Sequence, residues 1–373
     1  MARKNPAPKP ETGVVYAQTN GTPPSSVGVS RAIFSAAAQN VDPRLAASIA
    51  SERDWRRRYP RGVVSLTGRA LHSPDAALTI SRDGLAEASK HFGFRRDGES
   101  LSLASALARF EAPRFHTGLV RGEGRRATEL EIPYLGQTLR GAALRTQLQS
   151  WVDRDVIEPC ARDAMFELMD TPRWLDLSDM NIALLGAGAE VGPLGLLTAH
   201  GANLWAVDLP NPATWQRIFD VARAGSGTLR FPTSAPTTES MSDAALAGLA
   251  GADLLADAPE IRTWLLEADE PLAIGAYAYL GGKTFVRVSV AMDAIMTDVA
   301  ARRPETAFAW LLTPTDTYGV PADAAERSAE RLRSRPIMSG ISRAYRRLSR
   351  GRYCVPNIVE RVSSSNGRDY GVV

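Results

Sequence analysis

One stretch of thirty residues, Asn181 to Pro210, constrains this chain more than any other. It begins with a continuous apolar run, Asn181-Ile-Ala-Leu-Leu185, followed at once by Gly186-Ala-Gly188-Ala-Glu-Val-Gly192-Pro193. An unbroken apolar run bounded by a turn is how a parallel strand buried on both faces reads. Glycines placed directly after it permit a tight turn and a close approach to the backbone. Pro193 suits the first turn of a helix, where its missing N–H would have had no partner. A second apolar run, Asn203-Leu-Trp-Ala-Val207, ends in Asp208, twenty positions after Gly188. Together these predict the first β-α-β unit of a parallel sheet.

Such a unit carries a definite chemistry. Amides at a glycine turn that opens a helix face an anion, and a carboxylate ending the second strand accepts hydrogen bonds from ribose hydroxyls. The pattern therefore predicts a Rossmann-type nucleotide site in which Gly186, Gly188, Gly192 and Asp208 bind a dinucleotide. Asp208 repels a 2′-phosphate, which favours NAD over NADP. Two features depart from the usual fingerprint: Val191 stands where a third glycine is expected, and Glu190 brings a carboxylate near the phosphates. S-adenosylmethionine methyltransferases use the same unit and the same acid, but usually carry an acidic residue two before the first glycine, here Leu184. The first expectation is an NAD(P)-binding protein, with short-chain-type oxidoreduction of an unknown substrate as its candidate reaction; methyl transfer is the second, and a non-catalytic nucleotide-binding protein the third.

Alternating strand and helix patterns continue downstream. Trp215–Arg223 reads as a helix, Gly227–Phe231 as a third strand with Ala252–Ala256 competing, and Pro259–Glu267 as a helix. Pro271–Leu280 reads as a strand, Arg287–Arg302 as an amphipathic helix and Ala307–Leu312 as a buried strand. The expected fold is α/β, a Rossmann-type doubly wound parallel sheet over residues 176–330, preceded by a mainly helical region over 29–175. In that region a helical pattern runs from Val29 to Arg58 and is expected to stop at Pro60. Ser102–Phe110 reads as a short helix, Leu130–Leu135 as a short strand, and Gly141–Met169 as two helices divided at Pro159. Residues 1–28, rich in Pro, Ser, Thr and Gly, read as a mobile tail. Residues 331–373 form a basic segment with Arg343, Arg346, Arg347, Arg350 and Arg352, read as a solvated helix face in preference to a site for nucleic acid or anionic lipid. The ending Asp369-Tyr-Gly-Val-Val373 reads as the start of a strand, so a longer protein is expected.

Further candidates sit where strands end. Asp257 is suited to hydrogen-bond an adenine amino group or, preferably, to cap the helix beginning near Pro259. Tyr279 and Lys283 have the Y-x-x-x-K spacing of an acid–base pair, but Gly281 and Gly282 between them disfavour one continuous helix. Asp316 and Tyr318, in the Leu312–Gly319 loop, are the leading catalytic candidates, ready to meet a nicotinamide or a small-molecule substrate. His116 is read as structural, and His200, in the helix after the glycine turn, as packed or solvated.

Composition excludes more than it suggests. The formal charge is +3 and only four residues are lysine, so the many arginines do not by themselves argue for nucleic acid. No apolar run reaches eighteen residues, which argues against a membrane span, and the N-terminus lacks a secretory pattern. The two cysteines, Cys160 and Cys354, have neither disulfide-framework nor metal-ligand spacing. A cytoplasmic protein is expected.

Asn181 to Pro210, the Val286–Ile295 helix and the Thr313-Pro-Thr-Asp316 loop resemble an uncharacterised family of NAD(P)-binding Rossmann proteins of actinobacteria and plants. The resemblance runs from about Phe115 to the end. It implies a Rossmann fold related to short-chain dehydrogenases, an additional N-terminal helical region and a chain continuing beyond Val373. It implies no established reaction.

Overall fold

The computed structural model describes residues 11–17, 25–154, 156–281, 283–311, 317–334, 360–363 and 369–372. The chain divides into two compact units, Met1–Val15 with Phe94–Leu311, and Tyr16–Gly93 with Leu312–Val373. Among the described residues no helix is long and apolar enough to cross a membrane.

The first unit is mixed α/β and centres on a six-stranded, mostly parallel sheet. Its five parallel strands are β1 (Asn181–Leu185), β2 (Asn203–Val207), β3 (Thr228–Thr233), β4 (Ala273–Ala276) and β5 (Ala307–Trp310). Across the sheet they lie in the order 5-4-1-2-3, and a strand at His116–Arg121 pairs antiparallel with β3 at the edge. Leu185 of β1 stands opposite Val207 of β2 and Ala276 of β4, so the carboxyl ends of the three central strands are level.

Alternation along these strands builds a core on each face. On one face Leu184, Leu204, Ala206, Leu229 and Phe231 meet helices α1 (Leu194–Ala199), α2 (Pro212–Ala224) and α3 (Asp243–Leu249), chiefly through Leu194, Trp215, Phe219 and Leu246. On the other, Ala183, Leu185, Trp205, Val207 and Ile274 meet α4 (Ala258–Leu266) and α5 (Lys283–Arg302) through Ile261, Trp264, Val288 and Ile295. Trp215 and Trp264 are fully buried, one per face. Burial of such a side chain contributes about 2–3 kcal/mol of transfer free energy.

The second unit begins with four helices, Ser26–Gln39, Pro43–Ser51, Trp55–Ala70 and Pro74–His91, around a small core of Ala38, Ile49, Trp55, Leu66 and Ile80. Ser25, Asp42 and Ser73 cap three of them by accepting amide hydrogens of the first turn. Its C-terminal part holds the helix Ala322–Ser334 and a small antiparallel sheet of Gly319–Pro321, Asp369–Val372 and Glu360–Ser363.

Several expectations are corrected. Gly13–Tyr16, within the expected tail, is a strand, because Val14 is fully buried and its N–H donates to Leu255 O at 2.9 Å. Pro60 does not end a helix; it lies inside Trp55–Ala70, and the earlier breaks fall at Asn40 and Glu52 instead. Ala252–Ala256 is a turn rather than a strand, closed by Leu255 N–H to Asp253 Oδ1 at 2.8 Å and Asp257 N–H to Asp253 O at 2.7 Å. His116–Arg121, for which the sequence pattern predicts no strand, is the antiparallel edge strand.

Candidate functional site

The strand order reverses between β1 and β4, so the connections leaving their carboxyl ends diverge there. Crevices at such reversals bind ligands in open α/β sheets. Here β1 runs directly into the glycine turn. Gly186 adopts φ +93°, and its N–H and that of Ala187 both donate to Val207 O, at 2.8 and 3.0 Å. The chain is thereby bent towards β2. From the other side, the N–H groups of Tyr277 and Ala278 donate to Leu185 O at 2.9 and 2.8 Å. The segment leaving β4 therefore crosses the turn so closely that a Cβ on Gly186 would lie 2.5 Å from Ala278 N and Cα. Only glycine satisfies both the φ and the space.

Asp208 closes the turn from β2. Its Oδ2 accepts the Gly188 N–H at 2.7 Å and its Oδ1 accepts the Leu209 N–H at 2.8 Å. A carboxylate has about four lone-pair positions, so two remain for a ligand. The Gly188 carbonyl accepts a hydrogen bond from Arg217 Nη2 on α2 at 3.2 Å. Gly188 is thus held at its amide by an acid and at its carbonyl by a base. Thr214, also on α2, lies beside them, 3.0 Å from where a Gly188 Cβ would stand. Arg217 and Thr214 are neighbours that the sequence pattern does not assign to the site, since both fall within the helix that follows β2. The signal for them was the helix start: Asn211 Oδ1 caps α2 by accepting from Ala213 and Thr214, which sets the first turns of α2 beside the end of β2.

The turn does not open directly into a helix, as the spacing predicts. Residues 186–193 intervene, and α1 begins at Leu194 with Pro193 at the flanking cap position. The additional residue before Gly192 closes two successive turns, Ala189 N–H to Gly186 O at 3.2 Å and Gly192 N–H to Ala189 O at 2.9 Å. The amides of Gly188 and Ala189 are therefore engaged within the protein. Those of Glu190 and Val191 have no acceptor among the described residues, and both side chains are exposed. With the Arg217 guanidinium, they are the donors present here for an anion.

Asp257 is corrected as a cap. It stands at the cap position of α4 without a side-chain bond to the helix. Its Oδ2 instead accepts the Asp253 N–H at 2.9 Å and its Oδ1 faces Arg114 Nη1 at 3.3 Å. Burial raises the pKa of this carboxyl, opposed by the Asp253 amide and Arg114. Tyr279 is 66% exposed in the loop before α5, its ring 5.1 Å from that of Phe285. Lys283 is the first residue of α5, so the two do not share one helical turn. Tyr318 is half-buried and belongs to the second unit, whereas the glycine turn belongs to the first. Asp316 and the Arg343–Arg352 cluster lie outside the described residues. His116 lies in the edge strand, its carbonyl accepting from Thr233 Oγ1 at 3.2 Å, and His200 is buried directly after α1.

Tyr277 was missed by sequence reasoning, although its position, directly after β4 at the reversal, was the available signal. It is half-buried, its ring lies over Gly275, and burial pushes its phenol pKa up.

No protein family matches this chain, and comparison with curated proteins and with solved structures likewise finds no match.

Proposed function

We propose that the first unit is a Rossmann-type, doubly wound nucleotide-binding domain whose ligand is NAD, with NADP the weaker alternative. The observation that carries this reading is the reversal of strand order at the strand that ends in Gly186-Ala-Gly188, with Asp208 ending the neighbouring strand and bonded to Gly188. The two uncommitted lone-pair positions of Asp208 suit the vicinal hydroxyls of a ribose. The amides of Glu190 and Val191 and the Arg217 side chain suit a pyrophosphate. Gly192 serves the second turn, and Asp257 lies further along the chain that passes Asp208, since Ala252 N–H donates to Asp208 O at 2.9 Å.

Short-chain-type hydride transfer would need an acid–base pair, and the separation of Tyr279 from the helix of Lys283 favours nucleotide binding without that pairing. Calorimetric titration with NADH, NADPH and S-adenosylmethionine tests the proposal. Micromolar binding of NADH, weaker binding of NADPH and no response to the methyl donor is the expected result. Binding of S-adenosylmethionine alone would replace the proposal with methyl transfer.

A further inference from the structure

The helix Trp55–Ala70 opens on a charge pattern that its own fold does not need. Five of the nine residues from Arg53 to Arg61 are arginine, and all five are exposed. Arg56, Arg57 and Arg58 occupy the first turns of the helix, where the positive end of the helix dipole disfavours cations. Arg57 and Arg61 stand one turn apart, away from the buried Trp55, Gly62 and Leu66, and repel each other. Two carboxylates face the group: Asp54 at 3.6 Å from Arg57 and Glu52 at 3.5 Å from Arg58. Pairs at such distances with exposed guanidinium groups offset little of the repulsion. Arg53, Arg56 and Arg61 pair with no carboxylate among the described residues.

An aromatic surface stands among these cations. Tyr59 is 47% exposed, yet its ring lies 6.4 Å from that of Trp55, which lies 5.8 Å from that of Phe34. Trp55 is buried and its indole N–H donates to Ser30 Oγ at 3.1 Å. Three rings, half-buried Phe34, buried Trp55 and exposed Tyr59, therefore lie in succession, and the last presents an open phenol at the surface. Guanidinium groups match phosphate geometry, and an exposed ring set among them offers a face on which a base stacks.

We propose that this face binds single-stranded nucleic acid, with phosphates on Arg56, Arg57 and Arg61 and a base on Tyr59. A lipid surface would need several apolar side chains to insert, and Tyr59 is the one large exposed hydrophobic between Glu52 and Gly62. The expectation against nucleic acid came from the charge of the whole chain, in which acids elsewhere cancel this local excess. The proposal is independent of the nucleotide site in the first unit.

Fluorescence anisotropy of a labelled oligothymidylate of about twelve nucleotides, titrated with the full chain, tests it. The expected result is binding that weakens steeply with added salt. Arg57→Glu with Arg61→Glu should lower affinity at least about tenfold. Arg57 lies in the first turn, where an acidic residue is favoured, and both positions are exposed, so the fold should be kept, which circular dichroism verifies. Tyr59→Leu should weaken the oligonucleotide about fivefold while leaving heparin, a polyanion without bases, bound as before, and Tyr59→Trp should restore the loss. Absence of binding in low salt, affinity unmoved by the arginine exchanges, equal losses for heparin and oligonucleotide on Tyr59→Leu, or preference for phosphatidylserine vesicles would each overturn the proposal.

Discussion

The Gly188 N–H donates to Asp208 Oδ2 at 2.7 Å, so the acid ending the second strand and the central glycine of the turn are mechanically one unit. Asp208 consequently has a task in the protein itself as well as the proposed one towards ribose. Asp208→Ala removes the acceptor for two amides and for the ligand. NADH affinity should fall by about 1–2 kcal/mol, and Asp208→Asn, which keeps one acceptor oxygen, should lie between. Calorimetry paired with a thermal melt separates the two tasks. A lowered melting temperature with unchanged NADH affinity would assign Asp208 to the scaffold alone.

The three glycines of the turn should differ in a defined order. Gly186→Ala places a Cβ 2.5 Å from backbone atoms of Ala278 and demands φ +93° of an L-residue, so a loss of about 3 kcal/mol or more is expected. Gly188→Ala meets Thr214 Cγ2 at 3.0 Å, which can rotate away, and Asp208 Oδ2 at 3.1 Å, which gives way only by loosening its bond to the Gly188 amide, for a loss of about 1–2 kcal/mol. Gly192→Ala meets Ala189 O at 3.0 Å with no positive φ required, and should cost about 1 kcal/mol or less. Urea unfolding of the three variants gives the order directly, and a larger loss at Gly192 than at Gly186 would contradict this account of the turn.

What the amino-acid sequence reveals about this fold depends on how locally each element is determined. The limits of β1 and β2 match the apolar runs residue for residue, because strands buried on both faces need no polar alternation. The edge strand His116–Arg121 is illegible for the opposite reason. It carries exposed His116 and Thr117, and Gly118 is required by the Phe231 ring across the sheet, more than a hundred residues away. At the site, the residue types were readable and the bonds between them were not. The reach of Asp208 to Gly188 follows from the β1–β2 register, and that of Arg217 from the start of α2. Asp257 was misread as a cap because the position is right for one. The Asp253 turn takes its Oδ2 instead, and that turn is visible only once the chain is folded.

Asp293 on α5 should impose a pH dependence. None of the described residues donates a hydrogen bond to it, and burial alone raises its pKa above the ordinary value. A carboxyl whose pKa is higher folded than unfolded retains its proton longer in the native state. It therefore favours the fold at low pH, and that contribution is lost as pH rises from the unfolded value of about 4 through the folded one. Asp293→Asn should melt higher than the wild type at pH 7.5, with the difference shrinking towards pH 4.5. Scanning calorimetry at several pH values checks this, and a difference that is constant with pH would show that the side chain ionises freely.

Arg287 should decide whether the N-terminal segment stays on the first unit. This buried arginine of α5 donates from Nε to Val14 O at 2.6 Å and from Nη2 to Thr12 O at 3.2 Å, while Nη1 lies 3.4 Å from Glu11. Val14 is fully buried in the core of that face, so the arginine fixes the chain on both sides of an apolar anchor. Arg287→Met keeps much of the packing and removes the donors, leaving two carbonyls short of a partner, with an expected loss of about 2–3 kcal/mol. Glu11→Gln should change little, since its pair is largely solvated. Hydrogen exchange distinguishes a local effect from a global one. In Arg287→Met the Val14 amide, bonded to Leu255 O, should exchange at least about tenfold faster while the β1 and β2 amides remain protected. Equal protection of Val14 in both proteins would mean that the valine alone holds the segment.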